Sequence, residues 1–221
     1  VHIDKLQYIF DPLCGWCYAS APALDYLSRH YGDRLELMPC GLFSGDGARQ
    51  ITSLWAGHAW SNDQRIASLT GQPFSEAYHR LLLSGGSFDS TYMNRALTAF
   101  QHVGAAAEAG LLHALQHARY VDGQDTSRSD VVADISTAWA QEHGTDGGAE
   151  LADRLEADDG LRSLSDLRTA RVQRLMSEKG VRGVPLLLAT ADDAEHVISG
   201  HALYGGMQSI SAALAELPSL T

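Results

Sequence analysis

Two cysteines three positions apart sit where an apolar strand hands over to a helix, in Tyr8-Ile9-Phe10-Asp11-Pro12-Leu13-Cys14-Gly15-Trp16-Cys17-Tyr18. Thiols at that spacing close a small ring reversibly, and the start of a helix favours a thiolate on the first of them. Cys14 is therefore the expected nucleophile, attacking a substrate sulfur, and Cys17, one turn further in, the buried thiol that resolves the mixed disulfide. Two other readings stay open for a lone Cys-x-x-Cys: half of a zinc site, or a pair of inert buried thiols. Zinc needs two more ligands, and the sequence has no second Cys-x-x-Cys or Cys-x-x-His, so the redox reading is favoured and no metal ligand is assigned.

The surroundings of the motif read as strand, helix, strand. Leu6 to Phe10 is aromatic and branched, and Asp11-Pro12 stops it. A helix is expected from about Cys14 to His30 with Gly32 as its stop, and a second strand over Arg34 to Met38, which makes a parallel pair with a helical crossover. From Gly45 to about Gly160 the texture turns helical. Met93, Leu97 and Phe100, then Leu111, Leu115 and Ala118, then Val131, Ile135 and Trp139 form apolar stripes. Four or five helices are expected there, with Ser75 and Asp89 or Ser90 as caps. The last quarter reads as a helix from Leu161 to Lys179, an antiparallel hairpin turning at Asp192-Asp193, and a final helix over Met207 to Leu217.

The second landmark is Gly183-Val184-Pro185 ahead of the apolar run Leu186 to Ala189. A trans proline opening a strand is the commoner state of such a sequence. Taken with the dithiol upstream, a cis Val184-Pro185 bond is expected, leaving the backbone of residue 184 to pair with an extended substrate.

Together these pieces resemble the thioredoxin superfamily, and within it the DsbA-like group with a helical domain inserted after the second strand. The residues that carry the likeness are Phe10 to Tyr18, the helical stretch Leu112 to Ala118 and Gly180 to Pro185. The chain looks most like bacterial predicted disulfide isomerases of that group. The resemblance implies an α/β fold: a discontinuous thioredoxin-like domain of residues 1–44 and 160–221, with an all-helical domain of residues 45–159 between. It implies a protein disulfide oxidoreductase or isomerase, with Cys14 as nucleophile, Cys17 as resolving thiol and Pro185 as a cis-proline facing them. Gly15, Trp16, Val184 and Pro185 would contact substrate. The redox-active pair is the only cofactor required, and glutathione is a candidate co-substrate. Gly15-Trp16 stands where the best-known DsbA pattern has Pro-His, and Val184 where it has a polar residue. An uncharged dipeptide offers no cationic support to a thiolate, so a less oxidising couple is expected.

Composition bounds the partners. With 16 basic and 27 acidic residues the net charge is -11, unfavourable for nucleic acid or anionic lipid, and no apolar run approaches the length of a membrane span. Protein thiols or disulfides, or low-molecular-weight thiols, are the expected partners. Val1-His2-Ile3-Asp4 does not read as a secretion signal, so a cytoplasmic location is expected, or a periplasmic one if a signal has been removed.

Four lesser features have two readings each. Cys40 is a third redox thiol or, in the favoured reading, a packed inert one. Trp55 and Trp60 form a lip beside Cys14 or seal the joint to the helical insert. His113 and His117 share a metal or, as favoured, form a surface pair. Arg168, Arg171, Arg174, Lys179 and Arg182 form a solvated basic face, partly paired with Asp166 and Glu178, or serve a thiolate or a glutathione carboxylate. Two other functions compete with disulfide exchange. A glutathione-dependent transferase or isomerase, of the kappa or 2-hydroxychromene-2-carboxylate isomerase type, needs no resolving thiol. A chaperone-like clamp would carry a vestigial dithiol.

Overall fold

A computed structural model describes residues 2–146 and 150–218; Val1, Gly147 to Ala149 and Ser219 to Thr221 lie outside that description. β1 (Ile3–Phe10) lies at the centre of a four-stranded sheet. Both faces of β1 are covered: Leu6, Tyr8 and Phe10 enter one core, while Ile9 joins Met38, Leu186, Leu188 and Val172 in a second. The chain then forms α1 (Gly15–Ala19), α2 (Ala21–Tyr31) and β2 (Leu35–Pro39), which pairs parallel to β1. The expected single helix is thus two. Pro22 has no N–H for the carbonyl four residues back, and the helix breaks at Ser20, whose hydroxyl bonds the Trp16 carbonyl instead.

After β2 the chain leaves the sheet for a short ribbon and six helices. These are β3 (Arg49–Gln50), α3 (Ser53–Thr70), α4 (Glu76–Leu83), β4 (Ser87–Phe88), α5 (Thr91–Phe100), α6 (Ala105–Tyr120), α7 (Ser129–Glu142) and α8 (Leu151–Ala157). The count among the described residues exceeds the expected four or five, and the two-residue strands β3 and β4 are too short to leave a periodic signal. Ser75 caps α4 as expected, accepting from the Tyr78 N–H. Ser90 precedes α5, but its hydroxyl is turned to Asp11, and Asp89 takes the Thr91 N–H.

α9 (Asp159–Glu178) returns to the sheet, followed by β5 (Leu186–Ala191), β6 (Ala194–Ile198), α10 (Gly200–Tyr204) and α11 (Gly206–Ala215). Strand order is β2-β1-β5-β6, with β5 antiparallel to both neighbours. Asp192 and Asp193 take positive φ, 47° and 63°, which suits a two-residue hairpin turn. The basic face of α9 differs from expectation. Arg168 is buried, paired with Glu108 of α6 and bonded to the Leu37 carbonyl, while Arg171 pairs with Glu36 and Lys179 with Glu195. Asp166 and Glu178 are not their partners; α9 packs on α5 and β2, and Arg168 reaches across to Glu108 of α6, so the partners lie far away in sequence. No helix among the described residues is long and apolar enough to cross a membrane.

Candidate active site around Cys14

Cys14 is the N-cap of α1, and its backbone N–H bonds the Asp11 carbonyl. Each carbonyl of the approach is therefore occupied: Pro12 by the Gln116 side-chain amide at 3.3 Å and Leu13 by the Tyr120 hydroxyl at 2.8 Å. Asp11 does more than stop a strand. Fully buried, its carboxylate accepts the N–H of Leu13 (2.9 Å), the N–H of Phe43 (3.1 Å) and the Ser90 hydroxyl (3.0 Å), joining the dithiol loop to the chain after β2 and to α5. Burial pushes its pKa up to about 6 in spite of those donors.

The two thiols are unequal. Cys14 Sγ lies 3.6 Å from the carbonyl oxygen of Val184, and the Val184-Pro185 peptide is cis. Cys17 lies behind it at 2 % exposure, and burial, then the neighbouring Cys14 thiol, push its pKa well above the usual thiol range. All three cysteines are free thiols. Cys40 is buried as well; burial and the nearby Asp11 push its thiol up to about 12, which leaves it protonated and inert at neutral pH. The sheet and the dithiol bring Cys14, Cys17, Val184 and Pro185 together. Trp16 turns outwards onto Tyr204 of α10, with ring centroids 4.6 Å apart.

Gly15 is set by its neighbour rather than by its backbone. A Cβ there would stand 2.7 Å from Asp63 Oδ1 and 3.0 Å from Ile66 Cδ1, both on α3, so only glycine lets α3 cross this close. α3 also builds one wall of a cavity of about 330 Å³ beside Cys14, with Trp55, Asp63, Tyr78, Phe88 and Tyr120 among its lining. The two tryptophans separate here. Trp55 packs on Phe88 in that wall, whereas Trp60 stacks on His79 within the helical segment. Asp63, Tyr78, Gln116 and Tyr120 carried no sequence signal, because each is a polar interruption in an otherwise ordinary helical stripe.

Outside this region His117 bonds Asp122, with His113 exposed beside it, and among the described residues no group of three His, Cys, Asp or Glu side chains is placed to hold a metal.

Neither a family model nor a curated protein sequence matches the chain. Solved structures do. The cytosolic disulfide reductase DsbM from Pseudomonas aeruginosa is similar at 27 % identity and TM-score 0.80, covering 96 % of this chain and 97 % of that one, and its form with GSH superposes at TM-score 0.76. The chain has the fold of the DsbA-like proteins of the thioredoxin superfamily. Its fold is accordingly thioredoxin-like, with the helical segment of α3 to α8 set between β2 and α9. A candidate protein disulfide isomerase from Nitrosomonas europaea shares that fold at 19 % identity and TM-score 0.72, covering 96 % of this chain and 95 % of that one. So does 2-hydroxychromene-2-carboxylate isomerase, at 17 % identity and TM-score 0.54, over 96 % of each chain.

Proposed function

We propose that this DsbA-like protein is a thiol-disulfide oxidoreductase that reduces disulfides of low-molecular-weight thiols, glutathione among them, or of proteins. The inequality of the two thiols carries the reading: Cys14 caps a helix beside the Val184 carbonyl, and Cys17 is held protonated behind it. In the first step the Cys14 thiolate bonds to one substrate sulfur and the other departs as a thiol. Cys17 then gives up its proton, bonds to Cys14 and releases the second thiol, so two electrons pass from the dithiol to the substrate. The uncharged Gly15-Trp16 pair supports the reducing direction, as does similarity to a disulfide reductase captured with GSH. Gly15, Trp16, Val184 and Pro185 are the substrate-contacting residues in this scheme.

Trapping tests it. Cys17→Ala incubated with oxidised glutathione should gain the mass of one glutathionyl group, mapped by peptide sequencing to Cys14. An adduct on Cys40, or none, would contradict the proposal. Multiple turnover surviving in Cys17→Ala would favour the glutathione-dependent isomerase instead, which works through one thiol position.

A further inference from the structure

When Cys14 opens a disulfide, the departing sulfur leaves with the electron pair of the broken bond and needs a proton. The cavity beside Cys14 contains a group placed to give one. Asp63, on α3, is 5 % exposed, and its Oδ2 accepts the Tyr78 hydroxyl at 2.9 Å. Its Oδ1 is aimed at the backbone of Gly15, where a Cβ would stand only 2.7 Å away. A carboxyl oxygen thus lies against the residue next to the reactive cysteine, inside the cavity that Cys14 itself lines.

Apolar packing alone does not call for a carboxyl at this point. The surrounding wall is aromatic, from Trp55, Tyr78, Phe88 and Tyr120, and placing a carboxyl there costs free energy that an apolar side chain would not. The charged and titratable groups around it come from four elements. Tyr78 on α4 and Asn62 on α3 hydrogen-bond it, the fully buried Arg119 on α6 attracts its ionised form, and His58 on α3 and Arg49 on β3 share the cavity lining. Tyr120, which holds the Leu13 carbonyl, feels both Asp63 and Cys14. Burial outweighs the favourable contacts and raises the carboxyl to about 7, so its protonated form, absent from an ordinary aspartate, is well populated near neutral pH.

We propose that Asp63 is the general acid that protonates the thiolate expelled into this cavity when Cys14 attacks a substrate disulfide. The inference rests on the dithiol reading above. The Cys14 thiolate forms a bond to the nearer substrate sulfur, and the substrate S–S bond breaks with its electron pair on the farther sulfur. The Asp63 proton moves to that sulfur, leaving a neutral thiol and a carboxylate that the Tyr78 hydroxyl supports; water at the cavity mouth restores the proton. Demand for the acid rises with the basicity of the leaving thiol, so alkyl disulfides need Asp63 and activated aryl disulfides do not.

The test measures single-turnover formation of the Cys14 mixed disulfide in the Cys17→Ala protein, with Asp63 intact or changed to Asn. Oxidised glutathione supplies a basic leaving thiol and 4,4'-dithiodipyridine an acidic one. Asp63→Asn should slow the glutathione reaction by about 100-fold and leave the dithiodipyridine reaction unchanged. Equal slowing of both reactions, or of neither, overturns the proposal. Absence of any Cys14 adduct while Asp63 is intact overturns the dithiol reading itself. Should Asp63→Asn not fold, solvent deuterium isotope effects on the Asp63-intact protein decide. A larger effect with glutathione disulfide than with dithiodipyridine supports the acid, and equal effects refute it.

Discussion

Cys14 stands between two walls built on different principles. The sheet side offers it backbone: the Asp11 carbonyl on its own N–H and the Val184 carbonyl against its sulfur. The helical side offers side chains: Gln116 and Tyr120 on the loop carbonyls, and Asp63 against Gly15. Backbone atoms hold a position whatever the neighbouring side chains are, so the first wall can present any thiol to any extended partner. Side chains bring charge and protons, so the second wall is where one member of the fold can be given chemistry that another lacks. Asp11 binds the walls together, with one end on the loop and the other on Ser90 at the start of α5.

The largest expected effect comes from the carboxyls at that junction. Asp11 and Asp63 both titrate above their ordinary value of 3.8, at about 6 and about 7, because burial penalises the charge. Between the unfolded value and the folded one the folded protein holds more protons than the unfolded chain, so stability falls as pH rises through that window. At about 1.4 kcal/mol per pH unit, Asp11 is worth about 3 kcal/mol over its full range and Asp63 about 4 kcal/mol. His113 opposes the trend, since desolvation lowers its pKa, but it is a single group on the exposed face of α6. Glu36 is partly buried, yet Lys5, Gln7 and Arg171 together hold its pKa below the usual value, so the support it gives is lost only at more acidic pH. Thermal unfolding should therefore show a higher melting temperature at pH 5 than at pH 7.5. In Asp63→Asn that difference should shrink, and an unchanged difference would remove Asp63 from the account.

The sheet wall was legible in the sequence and the helical wall was not. Cys14-Gly15-Trp16-Cys17, Asp11-Pro12 and Val184-Pro185 are contiguous, and proline, glycine and a shift in hydrophobic period mark where each sits. Asp63, Tyr78 and Tyr120 are spread over three helices, and each looks like any polar or amphipathic residue on a surface helix until tertiary packing buries it. Arg168 shows the same limit: read as part of a solvated basic face, it is buried because Glu108, sixty positions earlier, faces it. Gly15 is the boundary case. Its place in the motif was plain, but the reason for glycine is the approach of α3, which no local pattern records.

Gly15→Ala forces the two walls apart at their contact. The new methyl would meet Asp63 Oδ1 and Ile66 Cδ1, and α3 would have to shift or Asp63 rotate. Overpacking of this kind costs about 1–3 kcal/mol. The expected outcome is a lowered melting temperature together with slower mixed-disulfide formation; wild-type values of both would mean that α3 yields freely and does not shape the site.

A pair of tyrosines separates the walls most finely. Tyr120, from the helical side, donates to the Leu13 carbonyl at 2.8 Å, next to the nucleophile, while Tyr8, from β1, reaches the Cys17 carbonyl at 3.4 Å, where geometry is long for a hydroxyl donor. Both rings are fully buried, and the Tyr120 ring also packs on Tyr18, Phe74 and Tyr78, so Phe at either position keeps the packing and removes only the hydroxyl. Tyr120→Phe strands a buried acceptor and should cost about 1 kcal/mol, with a slower Cys14 reaction because the loop before it loses a fixed point. Tyr8→Phe breaks a poor bond and should cost less, leaving the Cys14 rate as it was. Melting curves and single-turnover rates on the two variants decide it: equal losses would mean that the side-chain wall holds the nucleophile no more firmly than the strand beneath it does.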